Sequence, residues 1–218
     1  MNHLVIDLEM CTVPRDFRSK KYRYMHETIQ IGAVLLDENY KRIGTLSQYV
    51  KPEYGVIDPF IHRLTGIDNS QVRHAPLLQE ALQHMLDWIG DREYRVYAWS
   101  RTDRDQLLHE LSAKNIEDTR IDAFLEEGRW TDYQNVFSKR YSFSRPLSLQ
   151  EALGRVDIDV QGRFHDGLDD AVNTGLLIEK LELDPEFQLV KYEVPEKDQG
   201  ECVYSLGSIL SGLNLRLA

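Results

Sequence analysis

Residues 3–9, His-Leu-Val-Ile-Asp-Leu-Glu, decide both the fold and the chemistry that this chain can support. Apolar side chains occupy every second position, which is the period-two pattern of a β-strand. Residues two apart on a strand point to the same face, so Asp7 and Glu9 lie side by side, with Cα atoms about 7 Å apart. Two carboxylates on an apolar strand repel each other unless a cation lies between them. The pair therefore indicates either a divalent-metal site or a strand end that emerges into water.

The composition is that of a folded protein without a disulfide framework. The 218 residues are 42% hydrophobic and 10% aromatic, enough for a substantial core in one large domain or two small ones. Cys11 and Cys202 lie far apart in sequence, and no apolar run approaches the roughly 20 residues of a membrane span. The chain enters its first strand without a secretory signal. We therefore expect a reducing, cytoplasmic setting and no membrane partner.

The net charge of −10 restricts how the chain could bind nucleic acid. It argues against a long grip on a polyanion through neutralisation of many phosphates. It remains compatible with an enzyme that takes only the end of a strand, because bound cations would supply local positive charge.

The pattern of apolar residues predicts a mixed α/β sheet. Residues 28–37 and 42–51 are predicted to form an antiparallel meander with the first strand, and Leu64-Thr-Gly-Ile67 is predicted to be a turn. Helices and strands then alternate, which is typical of a mixed sheet covered by helices. The remaining predicted elements are helices at 76–89, 102–114, 131–140, 148–154 and 167–183, and strands at 95–99 and 120–125.

The chain is predicted to form one domain over residues 1–183, followed by a C-terminal extension over residues 184–218. The extension departs from the alternation of helices and strands, and its role is left open. Its apolar residues within Val203–Leu217 are expected to dock on the body of the protein or on a neighbouring subunit. The oligomeric state is not determined by these features.

Basic and aromatic residues are interleaved over residues 15–24, directly after the first strand. Such a segment suits single-stranded nucleic acid, because bases stack on rings while phosphates pair with charges. A solvated surface loop has the same composition, so the segment alone does not choose between the two interpretations.

Asp103 is the next candidate residue, at the point where a predicted strand gives way to a helix. An acid in the first turn of a helix is favoured by the helix dipole, so Asp103 could be structural. However, the neighbouring Asp105 could fill that structural role equally well, with Thr102 as the helix cap.

The third candidate group is Arg163-Phe-His-Asp-Gly-Leu-Asp-Asp-Ala-Val-Asn173, which leads into the last predicted helix. His165 precedes Asp170 by five residues and is surrounded by acids, which suits a general base that works near neutral pH. The structural alternatives are a surface histidine and another first-turn acid.

Together, Asp7-x-Glu9, Asp103 and His165-x-x-x-x-Asp170 resemble the pattern of the DEDDh 3′–5′ exonucleases, in the same order and at comparable intervals. The resemblance covers residues 1–182 and is closest to the ERI-like branch, which includes KapD-like proteins. Ser100 departs from the glycine that many relatives have after the tryptophan. The segments that carry the similarity are Leu4-Val-Ile-Asp-Leu-Glu-Met-Cys11, Ile29-Gln-Ile-Gly-Ala-Val-Leu-Leu36, Leu64-Thr-Gly-Ile67 and His165-Asp-Gly-Leu-Asp-Asp-Ala-Val-Asn173.

The resemblance implies a ribonuclease H-like fold, with a mixed five-stranded sheet flanked by helices. It also implies that Asp7, Glu9 and Asp170 hold one of two Mg²⁺ or Mn²⁺ ions, with Asp7 bridging to the second ion. Asp103 would act mainly through water, and His165 would be the general base. Carboxylates suit both ions, and a pair of ions can stabilise the attacking and departing oxygens of an in-line displacement.

The implied substrate is the 3′ end of single-stranded nucleic acid, with release of nucleoside 5′-monophosphates; RNA is favoured over DNA, and the sequence does not decide between them. Five residues are expected to contact it: Glu9, Met10, Leu64, Thr65 and His165. For Met10 and the turn, core packing is an equally good explanation.

The alternative function is that of a KapD-like regulatory or binding protein with little turnover, although a binder has no need for converging acids. A phosphatase with a nucleophilic DxD aspartate is disfavoured, because Glu9 occupies the second position.

Overall fold

A mixed five-stranded sheet lies at the centre of the structure, a computed structural model that describes residues 1–17 and 24–192. The strand order is β3-β2-β1-β4-β5, with β1 pairing antiparallel to β2 and parallel to β4. The predicted five-stranded mixed sheet and the antiparallel meander of its first three strands are therefore confirmed. The strands are β1 (Asn2–Thr12), β2 (His26–Leu36), β3 (Arg42–Tyr49), β4 (Tyr94–Ala98) and β5 (Trp130–Asp132).

Helices cover both faces of the sheet. On one face, α3, α4 and α5 pack against the side of β1 that carries Leu4, Ile6 and Leu8. On the other face, α6, α7 and α8 pack around Val5. The helices are α1 (Pro59–Thr65), α2 (Asn69–Val72), α3 (Leu78–Ile89), α4 (Thr102–Lys114), α5 (Thr119–Phe124), α6 (Tyr133–Arg140), α7 (Leu149–Arg155) and α8 (Gly167–Leu183).

The strand predicted at residues 120–125 is wrong, because residues 120–124 lie in helix α5 and Leu125 is its C-cap. Asp118 caps this helix by accepting hydrogen bonds from the backbone N–H groups of Arg120 and Ile121, at 2.9 and 3.2 Å. Ile121 and Phe124 are three residues apart and both buried, which is helical spacing. Periodicity is ambiguous over so short a segment, and the capping aspartate was the signal for a helix.

The region around the predicted turn also contains two short helices that the sequence analysis missed. Helix α1 ends at Thr65, and Gly66 adopts the left-handed φ of 69° that ends many helices. Asp68 then begins α2 with a capping box to Gln71. The reversal at Leu64–Ile67 is therefore present, as the C-terminal cap of a helix.

The first part of the C-terminal extension packs on the body. Val190 donates its backbone N–H to the carbonyl oxygen of Arg155 at 2.9 Å, and Phe187 packs on the α6–α8 side of the core. Arg140 donates to the carbonyl oxygens of Asp184 and Pro185 at 2.8 and 2.7 Å. The predicted docking of Val203–Leu217 concerns residues outside the described ranges.

The basic and aromatic segment is described only in part. Arg15–Phe17 forms a short 3-10 turn, and the Tyr24 ring stacks on the His109 ring with centroids 5.0 Å apart. The remaining residues, 18–23, are outside the described ranges, so the predicted nucleic-acid contacts of this segment stay predictions.

Within residues 1–17 and 24–192, no helix combines the length and apolar character needed to cross a membrane.

The first turn of α8 lies directly against β2 at Gly32. A Cβ atom on Gly32 would overlap the backbone of Gly167 and Leu168. This close approach is possible only where a strand residue has no side chain. It brings the start of α8 next to Asp7, which is paired with Gly32 across the β1–β2 ladder.

We expect Gly32→Ala to destabilise the protein by about 1–3 kcal/mol or more, because the new methyl group meets backbone rather than a flexible side chain. Urea denaturation followed by fluorescence would measure this. Gly175→Ala is the matched control, since its Cβ would make only ordinary contacts with Val34 and Leu36 at 3.8–3.9 Å. Equal stability of the two variants would show that α8 does not rest on Gly32 as described.

Candidate active site

The acid pair lies on the central strand, close to the start of α8. Glu9 is 2% exposed and Asp7 is half-buried, so neither residue is at a strand end in open water. A register shift between Glu9 and Met10 interrupts the β1–β2 ladder just after the pair. Such bulges redirect side chains and are frequent next to active sites.

Asp103 reaches across to the same strand. Its Oδ1 accepts a hydrogen bond from the backbone N–H of Leu8 at 3.0 Å, between the two acids of β1, and the residue is 7% exposed. Asp105, in contrast, forms a surface ion pair with Arg101 at 3.2 Å. The proposed capping role of Thr102 is wrong, because Thr102 is the first helical residue and the cap position is Arg101.

His165 and Asp170 are joined by a local hydrogen bond. The backbone N–H of His165 donates to Oδ2 of Asp170 at 2.9 Å, and His165 has a left-handed φ of 63°. Side-chain ligand atoms of Glu9, His165 and Asp170 lie within 4.8 Å of one another, and we call these three residues the close group. This spacing allows one cation to contact all three residues.

Gln30 is a supporting residue that the sequence analysis did not single out. It pairs with Glu9 across the β1–β2 ladder, and its Oε1 accepts a hydrogen bond from the backbone N–H of Gly167 at 2.9 Å. Its Nε2 donates to Oγ of Ser47 at 3.1 Å. Gln30 thus ties the start of α8 to the sheet, and a lone amide within an apolar strand was the available signal.

Burial and mutual repulsion raise the pKa values of all four acids. Desolvation is the main cause for Asp7 and Glu9, whose pKa values lie well above the ordinary range, and the neighbouring carboxylates add to it. Desolvation likewise raises the pKa of Asp103 and of Asp170 to about 7. Because the charges of Asp103 and Asp170 act on Asp7, the four residues form one electrostatic unit.

Two buried carboxylate oxygens in this unit, Oε2 of Glu9 and Oδ1 of Asp170, have no hydrogen-bond partner among the residues that the structure describes. Unpaired buried anions are costly, and hard divalent cations prefer carboxylate oxygen. The residues therefore fit a Mg²⁺-like or Mn²⁺-like ion. Asp7 and Asp103 lie outside the close group. The charges of Asp103 and Asp170 act on Asp7, and Asp103 accepts the hydrogen bond from Leu8. The individual ligand roles remain predictions.

Three of the predicted substrate contacts have structural roles of their own. Met10 is 3% exposed within the core. The Thr65 hydroxyl donates to the carbonyl oxygen of Ile61 at 2.9 Å and accepts from the backbone N–H of Ile67 at 3.1 Å. Leu64 is half-buried, and its carbonyl oxygen accepts a hydrogen bond from Nη2 of Arg163 at 2.8 Å. Their contacts to a nucleotide stay predictions.

The chain matches one known family over most of its length. The family model described as Exonuclease (RNase_T) matches residues 4–177, which span β1, the acid cluster and most of α8. The chain belongs to the exonuclease family. The matched region includes every residue of the close group and both neighbouring acids, so the family assignment and the site concern the same part of the molecule.

Two relatives within the exonuclease family belong to the ERI-like group. The chain is 29% identical over 202 residues to ERI1 exoribonuclease 2 of Homo sapiens, covering 82% of this chain and 28% of that protein. It is 27% identical over 155 residues to 3′-5′ exoribonuclease 1 of Mus musculus, covering 69% of this chain and 45% of that protein. The chain thus spans less than half the length of either relative.

Solved structures of family members share the fold. The nuclease domain of 3′hExo, a DEDDh family member bound to rAMP, has a TM-score of 0.70 and 23% identity, covering 88% of this chain and 97% of that one. A 3′-exonuclease that recognises the histone mRNA stem-loop has a TM-score of 0.67 and 20% identity, covering 90% and 72%. These similarities establish the ribonuclease H-like fold.

The raised pKa values predict how the metal-free protein responds to pH. The pKa values of Asp103 and Asp170 rise from 3.8 to about 7, so the folded state binds more protons than the unfolded state between these values. Stability from these groups therefore falls as pH rises from about 4 to 7 and is lowest above 7. In EDTA, we expect Asp170→Asn to raise the Tm at pH 8 and to flatten its dependence on pH.

Divalent metal should offset the loss of stability that the wild type shows at high pH. We expect millimolar Mn²⁺ to raise the Tm at pH 8, because metal binds the folded state and relieves the repulsion. This increase should be lost in Asp170→Asn. Asp169→Asn is the matched control, since Asp169 also accepts a backbone N–H near the start of α8 but is outside the close group. A wild-type Tm that ignores Mn²⁺ would contradict the metal assignment.

Proposed function

We propose that this protein is a divalent-metal-dependent 3′–5′ exonuclease that removes nucleotides from the 3′ end of single-stranded RNA. The observation that carries the proposal is the convergence of Glu9, His165 and Asp170 within 4.8 Å, with Asp7 and Asp103 beside them. Four acids from three separate elements serve no evident packing purpose, since their proximity raises the energy of the folded protein.

In this proposal Asp7, Glu9 and Asp170 would hold divalent metal, and Asp103 is the fourth acid of the site. When bound, two such ions would stabilise the attacking and leaving oxygens of an in-line displacement at phosphorus. The His165 imidazole accepts the proton of the attacking water, as a positioned general base can do. The new P–O bond replaces the bond to the 3′ oxygen of the preceding nucleotide, which takes a proton from solvent and becomes the new 3′ hydroxyl. The terminal nucleotide is released as a nucleoside 5′-monophosphate.

RNA is the proposed substrate class because both relatives named above are exoribonucleases by name. One of the similar structures contains bound rAMP, and another is of a 3′-exonuclease that recognises the histone mRNA stem-loop. These ligands are those of the similar proteins, and they support an RNA substrate for this chain. We also propose that residues 1–183 form the nuclease domain, since they contain all the site residues. We further propose a reducing, cytoplasmic setting, with which the buried Cys11 thiol, free within residues 1–17 and 24–192, is compatible.

Asp7→Ala and Asp170→Ala should each abolish the release of mononucleotides, because each removes a proposed ligand. A labelled single-stranded RNA incubated with Mn²⁺ and resolved on a sequencing gel would show a 3′-shortened ladder for the wild type only. Asp105→Ala is the matched control, since it removes a carboxylate that is paired with Arg101 at the surface. A matched DNA oligomer in the same gel tests the preference for RNA.

His165→Ala should lower kcat by about 10²–10⁴-fold, as expected for the loss of a positioned general base. The Mn²⁺-induced rise in Tm should persist, because the carboxylates remain. A wild type that leaves RNA intact in Mn²⁺ would overturn the exonuclease proposal and favour a regulatory or binding role. An active Asp7→Ala enzyme would overturn the assignment of Asp7 to the metal.

A further inference from the structure

The loop that carries His165, residues 161–166, is fastened to α8 along its length. Gln161 exchanges two hydrogen bonds of 2.9 Å with the side-chain amide of Asn173. Asp169 and Asp170 then each accept one backbone N–H of the loop, also at 2.9 Å. One side of the His165 loop is therefore fixed by a helix, while its other side faces α1.

The side chain of Arg163 connects the His165 loop to the end of α1. Its Nη2 donates to the carbonyl oxygen of Leu64 at 2.8 Å, joining residues 99 positions apart in sequence. A Cβ atom on Gly66 would overlap the guanidinium, so the turn makes room for it. Within residues 1–17 and 24–192, Arg163 forms no salt bridge, since its guanidinium is not among the ion-paired groups.

The charge of Arg163 also acts on one of the acids. Burial raises the pKa of Glu9, and the positive charge of Arg163 opposes that rise. The guanidinium thus joins the His165 loop to the Leu64–Gly66 turn and carries a charge that acts on Glu9. A charged donor to a carbonyl oxygen makes a stronger and more directional hydrogen bond than a neutral donor.

We propose that Arg163 is a positioning residue, which holds the Leu64–Gly66 turn against the His165 loop and so fixes the His165 imidazole relative to the 3′-terminal nucleotide. The inference rests on the proposed exonuclease function and adds a residue to it. Arg163 acts through His165 and touches no reacting atom. His165 needs such support because its left-handed φ of 63° is unfavourable for a residue with a side chain.

A double-mutant cycle of Arg163→Met and His165→Ala tests the proposal. Methionine keeps a long side chain but cannot donate a hydrogen bond. Arg163→Met alone should lower kcat by about tenfold to a hundredfold, the cost of misplacing a catalytic group by about an ångström. In the His165→Ala background the same substitution should change kcat by less than about threefold, because residues that act as a unit are non-additive.

Two further variants separate the tether from simple charge. Arg163→Lys keeps the positive charge and one donor, and should recover most of the lost kcat. Arg63→Met is the matched control, since it removes an exposed arginine beside the same turn; it should leave kcat unchanged. If the kcat losses of Arg163→Met and His165→Ala simply multiply in the double variant, the proposal is overturned. It is also overturned if Arg63→Met lowers kcat as much as Arg163→Met does. A rise in KM alone that steepens with salt would also overturn it, by indicating a direct phosphate contact.

Hydrogen–deuterium exchange of the metal-free full chain provides a readout that needs no turnover. Arg163→Met should speed exchange of backbone amides in both 161–166 and 64–67, whereas Arg63→Met should not. Unchanged exchange in both segments would overturn the tether even if kcat falls. An inactive wild type with faster exchange in Arg163→Met would count against the exonuclease proposal and leave the tether supported.

Discussion

The close packing of α8 on β2 at Gly32 is the constraint on which the site depends. Gly32 has no side chain, so the backbone at Gly167 can rest on the strand, and Gln30 secures it with a 2.9 Å hydrogen bond. Asp170 lies one turn further along α8 and His165 just before it. Their distance from the acids of β1 is therefore set by backbone contacts, which are less adaptable than side-chain packing.

Residues 1–17 and 24–192 contain two acidic clusters with buried carboxylates, and the contrast between them is informative. In the first, Lys114 Nζ lies 2.8 Å from Glu27 and 2.9 Å from both Glu53 and Glu110. Glu110 also accepts hydrogen bonds from the backbone N–H and hydroxyl of Thr28, both at 2.8 Å. These carboxylates are compensated by the protein itself, and they fasten α4 to β2 and the loop after β3.

The acids around Glu9 have no comparable lysine, and two of their buried oxygens are unpaired in the described part of the chain. Burial disfavours their charged forms, so the cluster weakens the fold unless a cation binds. Clusters that lower the stability of the folded protein are typical of functional sites, where activity and stability place opposite demands on the same residues. The same argument explains why α4 projects Asp103 onto the backbone of Leu8 instead of leaving it in solvent.

The sequence by itself determined four of the five strands, most helices and the candidate acids, whereas β5 lay partly within a predicted helix. Period-two alternation marked β1, and helical spacing marked α3, where Leu78, Leu82 and Met85 are buried, because these segments are long enough for the periodicity to be clear. The short helix α5 was mistaken for a strand, since six residues fit either period and only Asp118 marked its start. Asp103 could likewise have been an ordinary first-turn acid.

Only the tertiary structure decided between these interpretations. It placed the Asp103 carboxylate on Leu8, brought Glu9, His165 and Asp170 within 4.8 Å, and showed the roles of Gln30 and Arg163. These contacts join segments that are distant in the chain, and their geometry depends on how closely two backbones approach. Local periodicity and capping signals report a residue's immediate neighbours, whereas the shape of a site depends on packing between elements.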